Sequence, residues 1–347
     1  MHWIWCWARA AFISLPLIAV IAIVLTWAFD FVNGFHDSAN SIATIVATKV
    51  LTPVQAVTMA AFFNFMGFVV LGSAVAAMIQ TGIINQNLVS ERYGLELVLS
   101  ALLGATSWNL ITWWLGIPAS SSHALVGGLL GAGGAAIGLD AVNWNGIAKV
   151  ATFIVVSPLA GFIAGFLIVA FVIRTMFRIR RTKVNRWFRR LQLISSASYS
   201  MTHGANDAQK GMGIIMLVLV ASGAAAPTDK AFIWVALSCY TALALGTFFG
   251  GWRIVKTMAS RITKLDPYQG FSAETGAAIM LAATAHLGIP VSTTHTISGS
   301  IMGVGSAKRA SAVRWGIGRR LIIAWILTIP AAATISGVIF WSYLNLL

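Results

Sequence analysis

The chain has 347 residues, of which 58% are hydrophobic and 9% are charged. Its long apolar runs, such as residues 11–32 and 152–173, reach the roughly 20 residues that a helix needs to cross a bilayer. This composition predicts an all-α polytopic membrane protein in a lipid bilayer and excludes a soluble globular protein. The formal net charge of +14 would suit a nucleic-acid-binding protein, but the basic residues are grouped in a few loops, so we expect no nucleic acid partner.

The first apolar run lacks a clear small-residue cleavage site and leads directly into the motif NGFHDSANS at residues 33–41. We therefore expect a retained first helix instead of a secretory signal. The two cysteines of the sequence, Cys6 and Cys239, lie far apart and without metal-ligand spacing. They predict neither a disulfide framework nor a zinc site.

Three basic stretches, at residues 174–190, 253–264 and 308–320, hold most of the lysines and arginines, and we place all three in the cytoplasm. Counting helices outward from them puts both the N-terminus and the C-terminus outside. The segment between the second and third stretches must then enter and leave on the cytoplasmic side. It is broken by Gly-Ile-Pro into arms that are short for a span, which predicts a re-entrant hairpin.

The sequence contains an internal repeat. LGIPASSSHALVGG at residues 115–128 matches LGIPVSTTHTISGS at 287–300, and NGFHDSANS at 33–41 matches HGANDAQKG at 203–211. Each half then has three spanning helices and one re-entrant helical hairpin, so the second half is inverted, as in secondary transporters. We expect a first repeat at residues 1–176, a short basic cytoplasmic loop at 177–194 and a second repeat at 195–347.

Two carboxylates occupy equivalent places in the repeat, Asp37 in the first half and Asp207 in the second. A carboxylate inside a membrane is costly and functional by default, so we expect this pair to bind coupling cations. The alternative is structural, with each Asp capping a helix break or pairing with a lysine. Gly34, Gly204 and Gly211 predict broken helices whose freed carbonyls would also hold a cation.

Other polar side chains accompany this pair. His36 either titrates during transport or is neutral and hydrogen-bonded to a carbonyl of a broken helix. Lys210 either offers its charge to an anion or neutralises Asp207, and His203 makes the surroundings mixed in charge. Two further acids of the membrane region give weaker signals: Asp30 and Glu274.

The hairpin tips ASSSH and VSTTH follow a proline, so we expect a second helix to begin at each. The N-terminus of a helix binds anions through free N–H groups and its dipole, and hydroxyls add donors. Two tips that meet from opposite sides would hold one oxyanion. The alternative is plain N-capping by Ser120 and Ser292, which explains one hydroxyl per tip. Neither hairpin tip contains arginine, which fits a carrier that must release its cargo.

Two other features of the hairpins predict packing. His123 and His295 are expected to support the tips. Glycines spaced four residues apart predict close helix packing: Gly127, Gly131, Gly299 and Gly303. An intramembrane hydrolase built from Ser122, His123 and an Asp is a remote alternative, because the duplicated motifs give no asymmetric set of catalytic roles and G-x-S-x-G is lacking. We therefore expect a transporter that is not an enzyme.

Moving a dianion into a cell against about 100 mV costs about 2.3 kcal/mol per charge, so cations must travel with it.

The chain resembles the PiT family of inorganic phosphate transporters in its bacterial branch. The resemblance is carried by NGFHDSANSIAT, by HGANDAQKGMGI and by the two GIPxSxxH hairpins. The resemblance covers essentially the whole chain. It implies alternating-access symport of inorganic phosphate by a homodimer in the bacterial inner membrane.

By motif position, the resemblance places phosphate at Ser121, Ser122, Thr293 and Thr294, and coupling ions near Asp37, Asn40, Asn206 and Asp207. The full candidate set adds Ser120, Ser292 and Lys210 for the substrate, and His36 and Glu274 for the coupling ion.

One departure from the family concerns the coupling ion. Phe35-His36-Asp37 stands where sodium-coupled relatives tend to have Ala-Asn-Asp, which favours protons over sodium. A neutral complex of phosphate with a divalent metal is then an alternative cargo, and no resident cofactor is expected. Sulfate carried on the same scaffold is the closest alternative function.

Overall fold

The computed structural model describes residues 15–69, 72–85, 93–226, 229 and 232–346. Cys6 and the N-terminus, for which an outside location is predicted, lie outside these residues. The described part forms twelve α-helices. They are α1 Leu17–Ala47, α2 Pro53–Met66, α3 Ala74–Thr81, α4 Gly94–Leu115, α5 Ser121–Ile137, α6 Trp144–Met176, α7 Arg181–Ala221, α8 Ile233–Phe249, α9 Trp252–Arg261, α10 Pro267–His286, α11 Thr293–Lys308 and α12 Trp315–Leu346.

The helices confirm an all-helical, multi-pass membrane fold. Among the described residues, four helices are long and apolar enough to cross a membrane, namely α1, α4, α6 and α12. The number rises to six if two bent pairs each count as one span, α2 with α3, bent by 83°, and α8 with α9, bent by 67°. α7 is not among them, because the polar motif at residues 203–211 interrupts its apolar surface.

Both motif helices are continuous, so the predicted helix breaks are wrong. α1 runs through residues 33–41 and α7 runs through 203–211 without interruption. The glycines instead let helices cross closely, as small residues do in membranes. A Cβ on Gly34 would collide with the backbone of Leu243 in α8, and a Cβ on Gly204 with the backbone of Asn64 in α2.

The predicted cytoplasmic loop at 177–194 is mostly helical. α7 begins at Arg181 and continues for 41 residues into the motif. Its first turns have an apolar face, because Val184 and Phe188 pack with Val172 of α6 and with Phe271 of α10. The basic composition predicted a loop, whereas packing of this face against α6 and α10 stabilises a helix.

Two helix–turn–helix pairs lie where the re-entrant hairpins are predicted, α4–α5 and α10–α11. Their first arms have 22 and 20 residues, longer than predicted, and their second arms have 17 and 16. Each first arm is followed by a glycine with positive φ, Gly116 at 66° and Gly288 at 64°. Glycine adopts this conformation without steric cost, and the proline two residues later prevents the helix from continuing.

Each hairpin packs against the last helix of the other half. α5 lies on α12 and α11 lies on α6. The four glycines predicted to allow close packing lie at these contacts, which confirms the prediction. A Cβ on Gly127 or Gly131 would collide with the backbone of α12, and a Cβ on Gly299 or Gly303 with the backbone of α6. Helices of opposite halves also pack together where α1 contacts α8 and where α7 contacts α2.

Candidate functional site

The second helix of each hairpin begins with a serine cap. The Ser120 side chain accepts a hydrogen bond from the His123 backbone N–H at 3.2 Å, and Ser292 accepts one from the His295 N–H at 3.1 Å. Each cap satisfies one of the free N–H groups at a helix start. The alternative of plain capping therefore holds for these two residues, and the remaining tip hydroxyls need another explanation.

The two tips contact each other. Ser122 Oγ in the first hairpin donates to the Val291 carbonyl oxygen in the second, at 3.2 Å. The rings of His123 and His295 pack edge to face with centroids 4.7 Å apart, and His295 stacks on Trp325 of α12 at 4.0 Å. The histidines lie in ring contacts behind the tips, as expected of supporting residues.

Hydroxyls from both tips converge on Asp37. Ser121 Oγ donates to Asp37 Oδ2 at 3.0 Å, and Thr294 Oγ1 lies 3.5 Å from Oδ1, the outer limit of a hydrogen bond. Asn40, one turn further along α1, donates to Thr294 Oγ1 at 2.9 Å and to Thr293 Oγ1 at 3.3 Å. All of these side chains are buried. The structure thus brings the first motif together with both tips.

His36 has polar partners on both ring nitrogens. Its Nδ1 lies 2.6 Å from Asp37 Oδ1, and its Nε2 lies 3.1 Å from Thr112 Oγ1 in α4. The predicted alternative, a bond to the carbonyl of a broken helix, is wrong because α1 is unbroken. Thr112 Oγ1 can donate to the carbonyl of Trp108 at 3.0 Å, so it is free to accept from the His36 Nε2–H.

Asp207 is held by side chains from two helices. Lys210 Nζ forms an ion pair with Asp207 Oδ1, Asn33 Nδ2 donates to Oδ2 at 3.3 Å, and His203 Nε2 lies 3.5 Å from Oδ2. Lys210 is fully buried. Of the two roles predicted for Lys210, neutralising Asp207 is the one that these contacts support.

The two carboxylates meet between α1 and α7. Asp37, His203 and Asp207 each offer one ligand atom, and these three atoms lie within 4.8 Å of one another. Carboxylate oxygens and an imidazole nitrogen at this spacing could hold a small cation. The two carboxylates that the repeat makes equivalent thus lie in one buried cluster.

Two predicted coupling residues have other partners. Asn206 Nδ2 donates to the carbonyl oxygens of Thr202 and Leu281, at 2.8 and 3.2 Å. Glu274 accepts from Thr44 Oγ1 at 2.6 Å, from Gln192 Nε2 at 3.0 Å and from Ser195. Its hydrogen bonds form a separate buried cluster on the side of α1 toward Ala47.

Sequence reasoning missed several polar residues around the site: Asn33, Thr112, Asn64 and Thr247. Asn64 Oδ1 lies 3.2 Å from His203 Nδ1, and its amide donates to Thr247 Oγ1 at 2.9 Å. The available signal was a single polar side chain in an otherwise apolar stretch, as in AAFFNFMG, because a polar group inside a membrane needs a partner.

Similarity to known proteins extends over nearly the whole chain. A model of the Phosphate transporter family matches residues 33–336. A "Probable low-affinity inorganic phosphate transporter" of Rhizobium meliloti (strain 1021) is 51% identical over 94% of this chain and 96% of that protein. A protein of the same description from Bacillus subtilis (strain 168) is 42% identical over 96% and 99%.

A solved structure described as "The sodium-dependent phosphate transporter" has a TM-score of 0.85 and 28% identity, covering 96% of this chain and all of that one. The predicted resemblance is confirmed over nearly the whole length. The chain is a multi-pass membrane protein that belongs to the phosphate transporter family, whose members are transporters and not enzymes.

Proposed function

We propose that this protein imports inorganic phosphate by secondary active symport. The observation that carries the proposal is the convergence of hydroxyls from both hairpin tips on Asp37, through Ser121 and Thr294. Phosphate near neutral pH keeps at least one P–OH group, and a carboxylate can accept its hydrogen. Sulfate has no proton to donate and would meet the Asp37 carboxylate as a like charge. The named relatives support the same substrate.

Phosphate would lie between the two helix starts. The donors are the free N–H groups of α5 and α11 and four hydroxyls: Ser121, Ser122, Thr293 and Thr294. Ser120 and Ser292 keep their capping role, and Lys210 stays with Asp207. Three of these hydroxyls now contact protein acceptors, Ser121 and Thr294 at Asp37 and Ser122 at the Val291 carbonyl. Binding phosphate requires them to turn from these acceptors to the phosphate oxygens.

Protons are the coupling ion that the local hydrogen bonding favours. His36 Nδ1 lies 2.6 Å from Asp37 Oδ1, and a proton held between the imidazole and the carboxylate would lie beside the tip hydroxyls. The cluster of Asp37, His203 and Asp207 is where a sodium ion would be held if sodium were used instead.

The proposal includes an inverted repeat with halves at residues 1–176 and 195–347, both termini outside, and a homodimer in the bacterial inner membrane. The crossed packing of the hairpins supports two equivalent halves. In alternating access, the tips that now touch at Ser122 and Val291 would separate toward one face at a time. Glu274 belongs to a separate cluster, which is a candidate second site for a coupling ion.

The deciding experiment is uptake of labelled phosphate into proteoliposomes under an imposed proton gradient or an imposed sodium gradient. Excess sulfate is the competitor, and a divalent metal is added or chelated in parallel. We expect proton-driven accumulation that sulfate does not inhibit. Dependence on the metal would identify a metal–phosphate complex as the cargo. Inhibition by sulfate without phosphate accumulation would overturn the proposal.

Asp37→Asn tests the site in the same assay. The amide keeps the shape of the carboxylate and one acceptor oxygen, for Ser121 or for His36, but it cannot carry a charge or bind a proton. We therefore expect a folded protein that no longer accumulates phosphate. Asp140→Asn is the matched control, because Asp140 is an exposed acid in the turn after α5. Full concentrative uptake by Asp37→Asn would reject the assignment of Asp37.

A further inference from the structure

An amphipathic cavity lies beside the site described above, between the helices α4, α9 and α12. Its volume is about 480 Å³, and pockets that bind small molecules have volumes of about 300–1,000 Å³. Trp108 Nε1 in α4 donates to Thr328 Oγ1 in α12 at 3.3 Å and joins the two helices at one end of the cavity. At the other end, Thr257 Oγ1 in α9 donates to the carbonyl oxygen of Gly116, just after α4, at 3.0 Å. Contacts between helices thus fix both ends of the cavity.

The long walls of the cavity are formed by one face of α4 and one face of α12. Lining residues follow one another at intervals of three or four on each helix, a spacing that puts them on a single face. They include Trp108, Thr112 and Leu115 on α4, and Ile317, Arg320, Ala324 and Leu327 on α12. Three apolar side chains of these walls are about half exposed, namely Leu115 at 55%, Ile323 at 45% and Leu327 at 51%. The cavity is therefore a groove that opens sideways to the lipid chains, which are as apolar as leucine.

Two arginines line the groove at the end nearest the start of α12. Arg261 is the last residue of α9, and Arg320 lies in the second turn of α12. Both belong to basic stretches that are predicted to lie in the cytoplasm. Arg253, in the first turn of α9, donates to the Trp114 carbonyl oxygen at 2.5 Å. Within the described ranges, by contrast, neither Arg261 nor Arg320 has a hydrogen bond or an ion pair, and no acidic residue lines the groove. The groove thus presents two positive charges without a counter-charge.

We propose that this groove binds one anionic phospholipid. The headgroup phosphate accepts hydrogen bonds from Arg261 and Arg320, because planar guanidinium groups match phosphate oxygens. One acyl chain lies between α4 and α12 as far as Leu327, seven residues and about 10 Å along the helix from Arg320. Basic pockets on the cytoplasmic side of a membrane attract anionic headgroups in this way. A free phosphate ion would use only the two arginines and would leave the apolar walls uncovered.

A bound lipid would also contact the turn of the first hairpin. Gly116, Ile117 and Pro118 line the groove opposite α12, and they connect α4 to the tip that begins at Ser120. The lipid therefore fills the space between this turn and α12 and stabilises the folded arrangement. This consequence does not depend on which ion drives transport.

Binding is measured on the purified, lipid-depleted protein in detergent by native mass spectrometry. The probes are phosphatidylglycerol, which is anionic, and phosphatidylcholine with the same acyl chains, which has no net charge. We expect one tightly bound phosphatidylglycerol per chain, a rise in the melting temperature on binding, and much weaker binding of phosphatidylcholine. Equal affinity for the two lipids would overturn the proposal.

The arginines are tested with a pair of double variants that remove the same net charge. Arg261→Gln/Arg320→Gln should bind phosphatidylglycerol about thirtyfold more weakly, because each basic group contributes about fivefold. Arg186→Gln/Arg319→Gln is the matched control, since Arg186 is exposed on α7 and Arg319 lines a different cavity on the other side of α12. The control should bind like wild type. An equal loss in both double variants would show attraction by net charge alone and would overturn the assignment to this groove.

Two further measurements distinguish a lipid from a free anion. Ala324→Phe fills the apolar part of the groove and leaves both arginines in place, so we expect it to lose phosphatidylglycerol binding. Its melting temperature without lipid shows whether it folds, and the arginine variants decide the question if it does not. Excess inorganic phosphate should leave the bound lipid in place. Unchanged lipid binding by a folded Ala324→Phe protein, or displacement of the lipid by phosphate, would overturn the proposal.

Discussion

Asp207 and Lys210 form a fully buried ion pair in the middle of α7. Removing one member of a buried pair leaves the other charge without compensation, and this costs more than the pair itself contributes. His203 and Asn33 do not compensate the charge of Lys210, because both contact Asp207 instead. The stability of α7 packing therefore depends on keeping both charges or neither.

We expect Asp207→Asn to lower the free energy of unfolding by about 3–5 kcal/mol, because it leaves the Lys210 ammonium buried without a counter-charge. The double variant Asp207→Asn/Lys210→Met should recover most of this loss, yet it should not recover proton-driven uptake. Thermal unfolding of the purified protein in detergent measures the first effect. An Asp207→Asn protein as stable as wild type would contradict the pairing.

Neighbouring serines of the first tip should separate capping from substrate binding. Ser120→Ala removes a cap and should cost about 1 kcal/mol of stability with little change in the KM for phosphate. Ser121→Ala removes a hydroxyl that we assign to phosphate, and losing one hydrogen bond of about 0.5–1.5 kcal/mol should raise KM about twofold to tenfold. Thr294→Ala should behave like Ser121→Ala. Equal KM values in all three variants would argue against hydroxyl binding.

At the scale of the elements, helix α5 combines two kinds of glycine. Gly131 lies against the backbone of Ala333 in α12, where a Cβ would collide, whereas Gly134, one turn further, has open space around it. Both are helical. The first glycine allows the hairpin to pack on the other half, and the second only lowers helix propensity.

Replacing these two glycines by alanine should give opposite results. Gly131→Ala should destabilise the protein by about 1–3 kcal/mol, because two helix backbones must move apart. Gly134→Ala should be neutral or stabilise by up to about 1 kcal/mol, because alanine favours the helix. The melting temperatures of the two variants in detergent measure the difference. A stable Gly131→Ala protein would show that α5 and α12 do not pack this closely.

At the scale of the whole molecule, the site belongs to neither half alone. Asp37 and Asn40 come from α1, Ser121 from the first hairpin, and Thr293 and Thr294 from the second. Each hairpin is held by the last helix of the opposite half. In the alternating access that we propose, a movement of one predicted half against the other would therefore open or close the contact between the tips.

A cross-link between the tips should stop this movement. Because Ser122 Oγ reaches the Val291 carbonyl, Ser122→Cys and Val291→Cys put one thiol in each of the two touching tips. The background carries Cys6→Ser and Cys239→Ala, and its transport is measured first. We expect oxidation to block phosphate exchange and a reducing agent to restore it. Each single-cysteine variant should be unaffected by the oxidant. Exchange that continues after complete cross-linking would contradict separation of the tips.

Local sequence alone determined several parts of this protein. The Gly-Ile-Pro breaks end the first arms, the serines cap the second arms, and the spaced glycines mark helix contacts, because each effect depends on a few adjacent residues or on helical spacing. The internal repeat also identified Asp37 and Asp207 as equivalent carboxylates. These features suffice for a helical transporter with two hairpins.

Only the tertiary structure decided which groups pair. Gly34 and Gly204 of the motifs proved to be crossing points of continuous helices. The basic stretch before residue 195 became part of α7 because it packs on α6 and α10. The partners of Glu274 and the surroundings of Asp30 depend on which helices lie beside them. Such contacts join residues far apart in the chain, and their energies come from burial and hydrogen bonding that no local pattern encodes.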